Sequence, residues 1–436
     1  MKPTSNEIRK RFLDFFSENG HLIIPSASLI PVGDPTLLMV NSGMAPLKPY
    51  FTGEKTPLST RLCNLQKCVR TNDIDSVGDR HHLTFFEMMG NWSIGDYFKE
   101  VSIRLAWTMI HDIFEFDTSR LFATIYSGDP KFPTVPPDEE SEKIWLEFLP
   151  RERIVRLGAD CNLWGPAGET GPCGPCTEIF IDRGQQYGCG NPDCGPHCWC
   201  GRFLEIWNGG VFMQYYMHED RSLTELPLKS VDAGAGLERF CVILQGVDSV
   251  YEIDTLSPIT EMLTPAGQSR DSRSTRIMTD HIRSAVFMIA DGVKPANTRM
   301  EYVLRRVIRR AVLHANLSKT DFSHLLAAAE KVVDIFSPYY PELESNREKI
   351  ILTLKQEVSA FERVLKQGIK EFAKVASRSV GTVSASDAFK LHDALGLPID
   401  MTKELALAQG LSIDENGFKA LLEAQRERSR QKPNKN

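Results

Sequence analysis

Hydrophobic periodicity changes along this chain, and the change limits the folds open to it. Up to about residue 251, apolar residues gather in short β-rich runs punctuated by Gly and Pro: 60–70, 83–92, 121–126, 178–182 and 203–216. From residue 275 the repeat becomes helical, over 275–291, 301–315, 322–335, 347–375 and 416–430. A helix also opens the chain. Thr4 and Glu7 have capping-box spacing, Ile8, Phe12, Phe15 and Phe16 recur at helical intervals, and Asn19-Gly20 is a stop signal. The pattern predicts an α+β fold: a mainly antiparallel sheet with flanking helices over 1–255, then a mainly α-helical domain over 256–436. The boundary is expected near 250–270, with the Gly/Ser/Arg-rich segment 267–274 as linker, and the basic end 426–436 is expected to fray.

The formal charge of −6 argues mildly against a general nucleic-acid binder, so any RNA contact must come from local clusters of positive charge. The sequence has no run of 18 apolar residues and no apolar signal-peptide core at its start, so cytoplasmic localisation without membrane insertion is expected. Cysteines in such a chain read as reduced thiols or metal ligands. Four of the ten, Cys189, Cys194, Cys198 and Cys200, fall within 12 residues, in an insertion spanning about 185–202.

Two blocks carry candidate chemistry. In the first, Gln66-Lys67-Cys68-Val69-Arg70 and His82-Leu83-Thr84-Phe85-Phe86-Glu87 are strand-like runs around a polar loop. They offer an Arg for a phosphate and an aromatic ring for a base; a plain hairpin with core aromatics fits the same pattern. In the second, Asp232-Ala233-Gly234-Ala235-Gly236-Leu237-Glu238-Arg239, two glycines let the backbone pack closely and turn, and an Arg follows at a helix start. A purely structural Gly-x-Gly turn is the bland reading. Neither a Walker P-loop nor a dinucleotide fingerprint occurs, so a nucleotide site must be of another kind.

Taken together the two blocks resemble motifs 2 and 3 of class II aminoacyl-tRNA synthetases. Several further stretches are similar to the alanyl-tRNA synthetase family: Asn41-Ser42-Gly43-Met44, Thr84-Phe85-Phe86-Glu87-Met88, Gly95-Asp96-Tyr97-Phe98-Lys99, Thr170-Gly171-Pro172-Cys173-Gly174-Pro175-Cys176-Thr177-Glu178, Glu205-Ile206-Trp207-Asn208 and Asp280-His281-Ile282-Arg283-Ser284. The resemblance runs from the first helix to about residue 430. It implies the class II sheet and ATP-dependent activation of L-alanine, with Mg²⁺, before transfer to tRNA-Ala. It also implies roles. Arg70 would bind the ATP α-phosphate, Phe86 would stack on adenine, and His82 would sit near the phosphates. Arg239 would meet the γ-phosphate, Asp232 would hold the ammonium group of alanine, and Trp164 and Asn208 would line the amino-acid pocket. The same resemblance assigns Asn297 and Asp393 to the acceptor-stem G·U pair. Arg305, Arg306, Arg309 and Arg310 alternate with apolar pairs at helical spacing, a basic face that would attract phosphates or simply be solvated.

The Cys189, Cys194, Cys198, Cys200 cluster matches the ligand number of a tetrahedral structural zinc, with His197 able to replace one thiol; unmetallated loop thiols are the alternative. Cys173 and Cys176 have Cys-x-x-Cys spacing, which would also suit a redox or metal role; the family resemblance implies that they are ordinary active-site floor. Two departures from the family stand out. Its usual motif 2 loop Lys is missing after Arg70, so either Arg80 or Lys67 is expected to substitute or ATP binding is expected to be weaker. Asn208-Gly209-Gly210-Val211 is one residue longer than the usual Asn-x-Val. The ten His residues contain no His-x3-His pair, so the editing and C-terminal domains of full-length members are expected to be absent, with any editing in trans and a monomeric state. A paralogue that passes alanine to another acceptor, or that only binds RNA, is the alternative function.

Overall fold

The structure, a computed structural model, describes residues 2–431. Its centre is a mixed sheet of nine strands: β1 (Leu22–Ile23), β2 (Arg61–Val69), β3 (Phe85–Ser93), β4 (Leu121–Tyr126), β5 (Ile154–Leu157), β6 (Leu163–Trp164), β7 (Gly171–Asp182), β8 (Phe203–Met217) and β9 (Leu223–Gly236). The order across the sheet is β1-β2-β3-β9-β8-β7-β4-β5, and β6 pairs with β7. Every pairing from β2 to β4 along this path is antiparallel, whereas the edge pairs β1–β2 and β4–β5 are parallel.

Two sequence readings change here. The run 178–182 is the end of the longer strand β7, which also contains the Cys173–Cys176 segment. The Asp232–Gly236 glycines do not turn. They lie in β9, where Gly90 of β3 and Asn208 of β8 are the neighbours of Gly234. A Cβ on Gly234 would stand 3.1 Å from the Met89 carbonyl oxygen, so close strand approach is what requires glycine.

Helix α1 (Ser5–Glu18) starts with the anticipated capping box: Glu7 N donates to Thr4 Oγ1 at 3.2 Å and Thr4 N to Glu7 Oε2 at 2.7 Å. Its buried face places Phe12 and Phe16 against Trp207 of β8, with ring centroids 6.0 and 6.2 Å apart. Helix α2 (Lys99–Thr108) also packs on the sheet, and α3 (Leu237–Leu244) follows β9 directly.

Beyond residue 272 the described chain is almost entirely helical: α4 (Arg273–Ala290), α5 (Arg299–Ser318), α6 (Phe322–Phe336), α7 (Arg347–Ala376), α8 (Ala385–Leu395), α9 (Ile399–Leu407) and α10 (Glu415–Gln431). Helix α4 begins within the expected linker, where Thr275 N caps onto Ser272 Oγ at 3.1 Å. Every residue from Ile277 to Ala290 is buried, so α4 is a core helix rather than a surface one. Phe287 stacks on Phe85 of β3 at 4.0 Å, and one apolar core runs from the sheet into the helices. Of the end expected to fray, 426–431 continue α10, and residues 432–436 lie outside the described part. No helix among the described residues is long and apolar enough to cross a membrane.

Candidate active site

Strand alternation builds one wall of a cleft. Arg70 leaves the end of β2, and its backbone N–H donates to the Thr84 carbonyl at 2.9 Å, closing the polar loop 71–84. Along β3, Phe86 and Met88 face the cleft, while Phe85, Glu87 and Met89 point into the core on the other side. The cleft has a volume of about 230 Å³, and Arg70, His82, Phe86, Trp164, Asn208, Asp232 and Arg239 all line it. The seven residues assigned to ATP and the amino acid are therefore brought together from the end of β2, the 71–84 loop, β3, β6, β8, β9 and α3.

Each is held by specific partners. The Arg70 guanidinium lies 4.8 Å from the Phe86 ring centroid, and its Nε donates to the Asn41 carbonyl at 3.2 Å. Arg239, in the first turn of α3, donates to Glu205 Oε2 at 2.8 Å. Asp79 accepts from the backbone N–H groups of His81 and His82 at 2.9 and 2.8 Å and contacts His82 Nδ1. Burial works against ionisation of Asp79, but these hydrogen bonds hold it well below the usual carboxylate range. Burial pushes the neighbouring His81 imidazole down to about 4, against the pull of Asp79.

Asp232 forms the floor of the cleft. Burial pushes its carboxyl up to about 7, opposed by a hydrogen bond from Trp92 and by the charge of Arg70. Two further carboxylates, Glu178 of β7 and Glu205 of β8, line the cleft, and no sequence motif marks either of them as a site residue. Burial, and then the nearby Glu205 carboxylate, push Glu178 well up. A pair of hard oxygen donors facing one cavity, at least one of them short of positive charge, fits a Mg²⁺ ion.

The extra residue after Asn208 is absorbed by a β-bulge between Asn208 and Val211. In an unbroken strand, positions three apart face opposite sides. The bulge lets both residues line the cleft. Ser102 of α2 secures it, donating to the Gly209 carbonyl at 2.7 Å. The expected substitute cations are engaged elsewhere. Lys67 is buried between Asp291 and Glu342, both at 2.6 Å, and Arg80 pairs with Asp271. Neither lines the cleft; His81 does.

In the cysteine loop, the four thiols Cys189, Cys194, Cys198 and Cys200 lie within 4.8 Å of one another. Cys189 and Cys198 Sγ are 3.6 Å apart, and Cys194 and Cys200 Sγ are 3.5 Å apart. With metal–sulfur bonds of about 2.3 Å, a tetrahedron has edges of about 3.8 Å, so the four residues fit one ion. His197 is exposed and outside this group. The loop abuts the cleft: a Cβ on Gly201 would lie 3.6 Å from His81 Cε1.

The four arginines of α5 are not a free basic face. Arg305 and Arg309 pair with Glu357 at 3.2 and 2.8 Å, and Arg306 with Asp400 and Asp75 at 2.6 and 2.7 Å. Arg310 is 2% exposed, paired with Glu404 at 2.7 Å and donating to the Ile74 and Val77 carbonyls. Helical periodicity shows which side of a helix is polar; it does not show that acidic residues from α7 and α9 cover that side. Asn297 and Asp393 are both exposed. Arg305 Nη1 donates to Asn297 Oδ1 at 2.5 Å, and Gln425 of α10 donates to Asp393.

Residues 7–436 match the family described as tRNA synthetases class II (A). The chain is 44% identical to the alanine--tRNA ligase of Natranaerobius thermophilus, covering 98% of this chain and 49% of that protein. It is 42% identical to the alanine--tRNA ligase of Dehalococcoides mccartyi, with the same two shares, and 43% identical to that of Alkaliphilus oremlandii, where the shares are 98% and 48%. It thus spans about half the length of the curated relatives it matches. A match over nearly every residue, on a fold whose cleft gathers the motif 2 and motif 3 side chains, places the chain in the class II tRNA synthetases.

Proposed function

We propose that the protein activates L-alanine with ATP and transfers it to tRNA-Ala. The observation that carries this reading is a buried carboxylate, Asp232, on the floor of a cleft that also holds two arginines, Arg70 and Arg239. A carboxylate there suits an ammonium group, and the arginines suit the phosphates of a nucleotide.

Asp232 holds the ammonium group of alanine, and Trp164 and Asn208 bound its small side chain. Phe86 takes the adenine, Arg70 the α-phosphate and Arg239 the γ-phosphate, with His82, oriented by Asp79, near the phosphates. An oxygen of the alanine carboxylate attacks the α-phosphorus as the bond to pyrophosphate breaks. Negative charge grows on the phosphate oxygens and the leaving group, where fixed guanidinium groups stabilise it most. Mg²⁺ bound with ATP adds positive charge at the phosphates, and Glu178 and Glu205 are the side chains that would hold it. No side-chain base is required, since the attacking carboxylate is already ionised. The terminal hydroxyl of the tRNA then attacks the alanyl carbonyl, and AMP leaves.

Asn297 and Asp393 address a G·U pair from the shallow minor groove of the acceptor stem. Cys189, Cys194, Cys198 and Cys200 are the thiols that would hold a structural zinc, which would brace the 185–202 insertion. The test is amino-acid-dependent pyrophosphate exchange together with charging of tRNA-Ala. Exchange with alanine but no charging would favour the alternative of a different acceptor. Absence of both would leave an RNA-binding protein.

A further inference from the structure

We infer that Trp92 is a positioning residue for the amino-acid subsite: its indole N–H fixes one oxygen of Asp232 and leaves the other for the ammonium group. The inference deepens the reading of Asp232 given above and rests on it.

Trp92 lies in β3, directly across from Asp232 in β9. Its Nε1 donates to Asp232 Oδ1 at 2.7 Å, with the indole fully buried. Among the described residues, no other side-chain or backbone donor reaches the Asp232 carboxylate. A fixed carboxylate needs a fixed donor, and this donor is unusually well seated. The indole packs in an apolar cluster with Leu62, Val211 and Met213. Two glycines leave room for it. A Cβ on Gly43 would come within 2.6 Å of the Trp92 Cζ2 atom, and one on Gly90 closer still. The ring therefore cannot tilt toward either segment, and its N–H keeps one direction.

This donor also sets when Asp232 is charged. The titratable and charged groups that line the cleft with Asp232 are Arg70 at the end of β2, Asp73, His81 and His82 of the 71–84 loop, Glu178 of β7, Glu205 of β8, and Glu238 and Arg239 of α3. Arg70 favours the ionised carboxylate and the dry wall opposes it, with the Trp92 hydrogen bond on the side of ionisation. Without the N–H, Asp232 is both free to rotate and harder to ionise.

The test is Trp92→Phe, which keeps an aromatic ring and removes the donor, assayed by alanine-dependent pyrophosphate exchange from acidic to alkaline pH. A hydrogen bond to a charged group is worth enough that KM for alanine should rise about tenfold at neutral pH. KM for ATP should stay unchanged, and the acid limb of kcat/KM for alanine should move to higher pH. An unmoved limb, with KM for alanine unchanged or with alanine and ATP affected equally, overturns the inference. Asp232→Asn separates the two levels. If it abolishes alanine dependence while Trp92→Phe leaves KM and the limb alone, the Asp232 reading stands and the Trp92 inference fails. If it leaves KM for alanine unaltered, the Asp232 reading itself fails. A second measurement uses that variant only to assign a signal. Of the six indole N–H resonances of the protein, the one that Trp92→Phe removes should shift as pH passes through about 7 and again on adding alanine. Indole signals insensitive to both overturn the inference.

Discussion

Arg283 of α4 donates to Glu238 Oε1 of α3 at 2.6 Å, with the two side chains 0% and 3% exposed. Glu238 immediately precedes Arg239, so a helix from the C-terminal half fixes the turn that aims a cleft arginine. Arg9 of α1 and Glu87 of β3 form a second buried pair nearby, joined by the Tyr340 hydroxyl, which donates to Glu87 at 2.9 Å. Removing one member of such a pair leaves an uncompensated charge. Arg283→Met should therefore destabilise the protein by about 3–5 kcal/mol in denaturant unfolding. Adding Glu238→Gln should recover part of that loss.

The raised carboxyl of Asp232 gives alanine use a pH signature. An ammonium group needs the ionised carboxylate, which forms only above about 7 in the empty cleft. The profile of kcat/KM reports the free enzyme. Alanine-dependent kcat/KM should thus fall about tenfold for each pH unit below that point, while KM for ATP changes little. A profile flat from pH 5 to pH 8 would contradict the assignment.

Metal analysis should find close to one zinc per chain, and below about half an equivalent the site is not a zinc site. Cys198→Ser or a strong chelator should lower the melting temperature, since metal binding is folding energy for such a loop. Because Gly201 packs on His81, metal loss should also raise KM for ATP by severalfold while leaving KM for alanine less affected.

Asn297→Ala should lower tRNA charging about tenfold and spare pyrophosphate exchange. Arg305 Nη1 donates to the side-chain Oδ1 of Asn297 at 2.5 Å, so Arg305→Met should give the same split. Arg310→Met should act differently. It removes a buried guanidinium that ties α5 to α9 and to the 71–84 loop, and should lower stability and both activities together.

What the sequence showed follows from where the information lies. The capping box of α1, the hairpin of β2 and β3 and the long core helices are local patterns, and they appear as read. The seven cleft residues were legible because ordered motifs carried them. Glu178 and Glu205 were not, since carboxylates on strands have no spacing that marks a shared cavity. The turn expected at Gly234 and Gly236 is the end of strand β9, because a Gly-x-Gly pattern does not distinguish a turn from tight strand contact; the close backbone packing it also implies is present. Helices α8 and α9 were missed: they are short, and their apolar stripes are narrow. The α5 arginines looked free because their carboxylate partners lie 48 to 94 residues away or more.

The most direct test of the central claim is ATP-dependent charging of tRNA-Ala with labelled alanine, on transcripts with the acceptor-stem G·U pair intact or changed to G·C. The first transcript should be charged and the second little, with Asp232→Asn abolishing both charging and alanine-dependent exchange. Charging of neither transcript, or full activity in the Asp232 variant, would contradict that claim.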